Sequence, residues 1–245
     1  MDRSLYVAMT GAAQVMRAQT EASHNLANVS TVGFRAQLGS FDSLPVRGAG
    51  LTTRVNVVER PLGADFSIGP QISSGRDLDV AIQGEGWIAV QARDGGEGYT
   101  RAGDLSISAD GQLLTGNGLP VMGDAGPITI PPYSKLDIGN DGTISVVPQG
   151  QGPETVSAVG RIKLVNPDRT QLVRGGDGLM RLADGAVAPG DAAVHLVSGV
   201  IEGSNVNPTE ALTRMISLSR QFEMQVRAIQ AADENAQAAT RLLAR

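Results

Sequence analysis

Residues 207–245 read NPTEALTRMISLSRQFEMQVRAIQAADENAQAATRLLAR. Asn207 offers a side-chain oxygen for a helix N-cap, Pro208 suits the first helical position, and Glu210 lies in the first turn. Behind that start, Met215, Leu218, Phe222, Ile229, Ala232, Ala236, Ala239 and Leu243 recur in heptad register. Gln225 is the single polar break, and Ile216 and Val226 are read as widening the face. No Gly or Pro interrupts Thr209 to Arg245, so the stretch predicts one helix about 55 Å long at ~1.5 Å per residue. Arg241 and Arg245 complement its dipole at the C-terminal end. A lone helix cannot bury such a stripe, so a second stripe is expected elsewhere in the chain.

The other terminus supplies it. Leu5, Met9, Ala12, Met16, Ser23 and Leu26 fall at helical spacing, with Gln19 the polar exception, and predict a helix from about Ser4 to Ala27. That helix stops in residues 23–34, SHNLANVSTVGF. On a reactive reading, His24 is a base with Ser23 or Asn25 as its helper. On a structural reading, Asn25 and Asn28 satisfy unpaired backbone groups at the helix end, Thr31 and Gly33 turn the chain, and Phe34 anchors the exit. Asn and Gly tolerate the positive φ that a sharp exit needs. The structural reading is the stronger one. The economical arrangement sets the two helices antiparallel, and the apolar surface left over asks for further helices from other copies.

Between the arms the pattern changes. Residues 36–76 are punctuated by Gly, Pro and Ser and read as an extended connecting segment. From 77 to 202 the period is two: Leu78, Val80 and Ile82 alternate, as do Leu105, Ile107 and Ala109, and Ile128 with Ile130. Asp110-Gly111, Asn117-Gly118, Asp141-Gly142 and Asp184-Gly185 are turn dipeptides set between such runs. The expected fold class is therefore α+β. Residues 1–35 and 203–245 form an antiparallel coiled-coil domain, 36–76 connect, and 77–202 form an inserted, mainly antiparallel β domain, sandwich-like or an irregular barrel.

Composition excludes several functions. The net charge is −5, and Lys and Arg are scattered, which argues against a nucleic-acid grip. Cys is absent, which removes thiolate catalysis, disulfides and thiolate metal sites. No apolar run approaches the ~20 residues of a membrane helix. The N-terminal MDRSLYVAMTGAAQVMRAQ is a poor signal peptide, with Asp2 in the basic region and Thr10, Gly11 and Gln14 interrupting the apolar one.

Chemistry-bearing motifs are equally sparse. Gly116-Asn117-Gly118 and Gly176-Asp177-Gly178 precede no helical pattern and are turns rather than phosphate loops. The stretch from Asp137 to Gly142 resembles a calcium loop only in outline, with Pro148 where the bidentate Glu belongs. His24 and His195 are far apart and lack zinc-helix spacing. Neither an enzyme nor a cofactor is expected.

With both ends laid out, the chain resembles the flagellar rod–hook axial protein family. Asn25-Leu26-Ala27-Asn28-Val29-Ser30-Thr31-Val32-Gly33-Phe34-Arg35 is similar to the family's N-L-A-N-x-x-T-x-G-F-[KR] signature. Asp79-Val80-Ala81-Ile82-Gln83-Gly84-Glu85-Gly86-Trp87 resembles its D-x-A-I-Q-G-x-G-[FW] strand, and Tyr99-Thr100-Arg101-Ala102-Gly103 its Y-T-R-x-G element. Gly203-Ser204-Asn205-Val206-Asn207-Pro208 with the long helix resembles the C-terminal signature. Features such as Arg220-Gln221-Phe222-Glu223-Met224-Gln225 look closer to the proximal-rod than to the distal-rod branch.

The resemblance implies a subunit of a hollow drive shaft, with the terminal helices as inner coiled coil and the β region outside. It implies export through the flagellar apparatus without a cleaved leader, and partners that are copies of itself and other proximal and distal rod proteins. Nucleic acid and membrane insertion are not expected. The interface would use Leu5, Met9, Met16, Asn25, Leu26, Asn28, Thr31, Gly33 and Phe34 from the N-terminal side. From the C-terminal side it would use Asn205, Asn207, Pro208, Met215, Leu218, Phe222, Ile229, Ala232, Ala236 and Leu243. Because both arms are thin in bulky residues, they are expected to be largely disordered before assembly. A distal-rod or hook-type protein, or a secreted β-domain binding module, is the alternative.

Overall fold

The computed structural model describes residues 3–45, 55–152 and 154–243. The chain divides into two compact units: one takes residues up to Val29, Ala36–Asp65 and Val206 onward, the other Ser30–Arg35 and Phe66–Asn205.

The first unit contains both helices. Helix α1 spans Arg3–Ala27 and α2 spans Pro208–Leu243. Helix α2 starts as its sequence demands: the Asn207 side-chain oxygen accepts hydrogen bonds from the backbone N–H of Thr209 at 3.0 Å and of Glu210 at 3.4 Å. Arg245 lies outside the described residues. The two helices pack through Val15, Ala18, Ala22 and Leu218, with Phe222 against that cluster.

This seam differs from the stripe expected on α1. Ala12 is buried, but Met9 and Met16 are 52% and 56% exposed, and Ser23 is exposed. Small side chains allow close helix approach, and Val15, Ala18 and Ala22, not the thioethers, form the α1 side of the contact. Gln225, the polar break in the α2 register, packs over Gly11: a Cβ built there would lie 3.2 Å from the Gln225 side chain. Ile216, read as widening the α2 seam, is exposed.

The same unit holds a hairpin where an extended connection was expected. Strand β1 (Gln37–Pro45) pairs antiparallel with β2 (Val55–Ala64), with a bulge between Leu38 and Gly39. The β-forming residues Phe41, Leu44, Val55, Val57 and Val58 lie in it, all exposed. These apolar residues do not alternate strictly, and Gly, Ser and Pro are spread among them, so no strand pattern stands out in the sequence. Asn25 joins α1 to β1. Its Nδ2 donates to the Gln37 carbonyl at 2.9 Å, and its Oδ1 accepts from the Gln37 N–H at 2.8 Å.

The second unit is antiparallel throughout its described residues. Its largest sheet runs in the order β14 (Leu164–Val165), β5 (Trp87–Gln91), β6 (Glu97–Thr100), β16 (Met180–Leu182) and β15 (Leu172–Arg174). A three-stranded sheet joins β11 (Tyr133–Ile138), β12 (Thr143–Pro148) and β13 (Ser157–Arg161). Two-stranded ladders pair β3 (Gln71–Ser73) with β18 (Val200–Glu202), and β4 (Val80–Gln83) with β17 (His195–Ser198). Two more pair β7 (Leu105–Ile107) with β8 (Leu113–Thr115), and β9 (Met122–Gly123) with β10 (Gly126–Pro127).

One aliphatic core, including Val80, Ile82, Ile88, Val90, Leu105, Leu113, Ile144 and Ile162, joins the two larger sheets with the β4–β17 and β7–β8 ladders. Period-two reading understates the burial. Val80, Ala81 and Ile82 are all buried, because β4 is covered on both faces. The Asp141-Gly142 turn links β11 to β12, with Gly142 at φ +84°. Asp141 accepts there from the N–H and hydroxyl of Thr143, bonds that hold its carboxyl below the usual range.

Candidate assembly interface

Helical geometry gives α1 two faces. At about 100° per residue, Val15, Ala18 and Ala22 share one side of the cylinder while Tyr6, Met9 and Met16 lie on the other. Tyr6, Met9 and Met16 are all more than half exposed. Helix α2 repeats the pattern. Leu218 is buried in the seam, and Met215, Phe222, Ile229 and Ala232 are half-buried on its side, whereas Leu212, Ile216 and Met224 are exposed. Each helix thus uses one face inside the chain and presents apolar side chains on another. The side chains of Ala236 and Leu243 lie outside the described residues.

The N-terminal signature divides its labour. In the helical unit, Leu5 and Leu26 are half-buried, and Asn28 closes α1 by donating from Nδ2 to the His24 carbonyl at 2.8 Å. No described residue other than glycine has positive φ, so neither asparagine makes a left-handed cap. The left-handed residue is Gly33, at φ +66°, in the β unit. A Cβ there would overlap the Arg101 carbonyl and the Ala102 nitrogen. Its N–H donates to the Glu202 carbonyl at 2.7 Å. Thr31, half-buried, accepts from the Phe34 N–H at 3.3 Å, and Phe34 is buried beneath the Arg174 guanidinium, 4.6 Å from its ring centre. Burial holds that guanidinium below its ordinary pKa.

The C-terminal signature meets the same place. The Asn205 N–H donates to the Phe34 carbonyl at 3.3 Å, and its Nδ2 donates to the Ser67 carbonyl at 3.1 Å. Beneath it lies a buried ionic knot. Glu202 is 0% exposed; its Oε1 accepts from Arg35 at 2.6 Å and its Oε2 from Arg101 at 2.8 Å. The Gly69 N–H adds a bond to Oε1 at 2.9 Å. Within the β unit, therefore, the four separated signatures converge: Gly33 and Arg35 from the first, Gly84 from the second, Arg101 from the third, and Asn205, bonded to Phe34, from the fourth.

Sequence reasoning passed over Glu202 and the Val15–Ala18–Ala22 seam. A single carboxylate in the apolar run Val200-Ile201-Glu202, ahead of a signature and matched to two signature arginines, was the available signal for the first. For the second it was the heptad spacing of Gly11, Val15, Ala18 and Ala22, eclipsed by the larger methionines. Among the described residues no group of three or more His, Cys, Asp or Glu is placed to hold a metal ion.

Residues 81–146 match the flagellar hook protein FlgE/F/G D1 domain, and residues 197–242 match the flagellar basal body rod FlgEFG protein C-terminal domain. The flagellar basal-body rod protein FlgF of Salmonella typhimurium is 47% identical, covering 99% of both chains. That of Escherichia coli is 45% identical, again over 99% of both. The FlgG rod protein of Bacillus subtilis is 32% identical over 96% of each chain. The identities to FlgF proteins and the folded signatures together place the chain: it belongs to the FlgE/F/G family of flagellar rod and hook proteins, on its FlgF branch, and its role is structural rather than enzymatic.

Proposed function

We propose that this chain is a subunit of the proximal rod of the bacterial flagellar basal body, polymerising through its terminal helices into a hollow drive shaft. The observation that carries the reading is the second apolar face on each helix, Tyr6, Met9 and Met16 on α1 and Leu212, Ile216 and Met224 on α2. Those faces are what neighbouring subunits would cover, and burying them would supply the free energy of assembly.

The helices act as an antiparallel coiled coil. Supporting this, Gly11, early in α1, lies against Gln225, late in α2, while the later Ala18 and Ala22 cluster with the earlier Leu218. Partners are copies of the same chain and other proximal and distal rod proteins, reached after export through the flagellar apparatus. Torque passes through helix–helix packing. The expected interface residues fall into two classes on this reading. Met9 and Met16 meet neighbours directly, whereas Leu218 and Phe222 hold the two helices of one subunit together.

Complementation tests the role. In a bacterium lacking its own FlgF-type protein, the wild-type chain is expected to restore swimming and Phe222→Asp to abolish it, with the β unit of the purified variant still folded. Normal rods carrying Phe222→Asp would defeat the assignment.

A further inference from the structure

The chain has no Cys, so its seven methionines carry all of its sulfur. With no thiol to compete, a two-electron oxidant such as a peroxide acts first on a thioether. The one tryptophan, Trp87, is only 6% exposed.

The methionines divide by exposure. Met9, Met16 and Met224 are 52%, 56% and 59% exposed, whereas Met180 is 3% exposed, and Met122 and Met215 are half-buried. Met1 lies outside the described residues. In a helix the backbone is covered by its own turns, so the exposure of the first three belongs to the side chain and its terminal Sδ. Fraying of either helix would open these three further, so their access does not depend on the α1–α2 seam being formed.

All three open thioethers stand on the helices. Met9 and Met16 are seven residues apart, about two turns, and so share one face of α1 with Tyr6. Met224 adjoins Gln225, which packs on Gly11, so Met9 and Met224 each lie within two residues of that one crossing.

Oxidation transfers one oxygen. The Sδ lone pair attacks a hydrogen peroxide oxygen, the O–O bond breaks and a sulfoxide S–O bond forms, while the other peroxide oxygen leaves with both protons as water. Sulfur loses two electrons and the peroxide gains them. A flexible apolar end thereby becomes a polar, chiral acceptor. On a face that apolar neighbours must cover, that acceptor is left without a donor.

We propose that Met9, Met16 and Met224 are modification sites for peroxide-class oxidants, and that their sulfoxides keep an oxidised chain out of the growing structure. The inference rests on these faces being subunit contacts, as proposed above. Oxidation is then confined to the free chain, because neighbours shield the thioethers once they dock.

The full-length chain, and isolated basal bodies that contain it, are exposed to hydrogen peroxide, and oxygen addition at each methionine is followed by peptide mass spectrometry. In the free chain Met9, Met16 and Met224 are expected to oxidise roughly tenfold faster than Met180, and in basal bodies to slow toward its rate. Substitution reads the consequence in a bacterium lacking its own FlgF-type protein. Met9→Gln, Met16→Gln and Met224→Gln together place polar side chains of similar length there, and swimming is expected to fall about tenfold. Leu at the same three positions keeps the faces apolar and is expected to retain swimming. Oxidation of Met180 as fast as the three in the free chain, or no slowing of the three in basal bodies, would overturn the inference. So would full swimming with the Gln variant, or lost swimming with the Leu variant, in a strain where the wild-type chain restores motility. Failure of the wild-type chain itself would overturn the proximal-rod reading and this inference with it.

Discussion

Glu202 accepts from two arginines and one backbone amide while fully buried, so removing its charge leaves two cations facing each other without water. Glu202→Gln is therefore expected to lower the stability of the β unit by about 3–5 kcal/mol. Urea denaturation followed by Trp87 emission measures it, and a loss below about 1 kcal/mol would show that the knot is not what ties the signatures together. Asp104 gives a pH test of opposite sign. Burial raises its pKa, with the Gly116 N–H and its own backbone N–H opposing, so the folded state holds that proton to higher pH than the unfolded chain does. Stability from this group is thus highest in acid and falls as pH rises through its folded pKa. Asp104→Asn, which keeps an oxygen for the Gly116 N–H, is expected to be more stable than the parent at pH 7, with the gap closing as pH falls toward 4. Melting curves of the two proteins across that range check it. The roles of Asn207 and Gly33 were legible in sequence because each is set by local backbone chemistry. Glu202 was not, since its meaning depends on Arg35 and Arg101, which approach it only through the fold.

The helices show what elements can and cannot declare. Helix α2 was readable almost to its ends from one cap and one heptad pattern broken only at Gln225, and the half-buried Met215, Phe222 and Ile229 follow that register. On α1 the same rule pointed at Leu5, Met9, Ala12, Met16, Ser23 and Leu26, whereas the intramolecular contact is made by Val15, Ala18 and Ala22. Both patterns are present in the sequence; only the partner decides which is used at home. The β1–β2 hairpin was hidden for a related reason, since its apolar residues are exposed and spread among Gly, Ser and Pro. A seam of mostly small residues buries little area, so Leu218, its largest fully enclosed member, matters disproportionately. Leu218→Ala is expected to cost about 2–4 kcal/mol of helix pairing. It should appear as a drop in circular dichroism at 222 nm while Trp87 emission stays native. Unchanged helicity would mean that α1 and α2 do not depend on this contact.

For the whole molecule, the balance lies between one satisfied face and one unsatisfied face per helix. A monomer with this seam is expected to show less helix in solution than the 25 and 36 residues of α1 and α2 would give, and more once polymerised. On the proposed function, ordering completed by neighbours would confine growth to a place where neighbours already stand, the end of a filament. The central claim is that the Met9–Met16 face of α1 belongs to an adjacent subunit. A photoreactive amino acid at Met16, with crosslinks mapped in isolated basal bodies, tests it most directly. Crosslinks from position 16 to another axial protein chain are the predicted result; illumination that yields only uncrosslinked chain, in rods that assemble normally, would contradict the account.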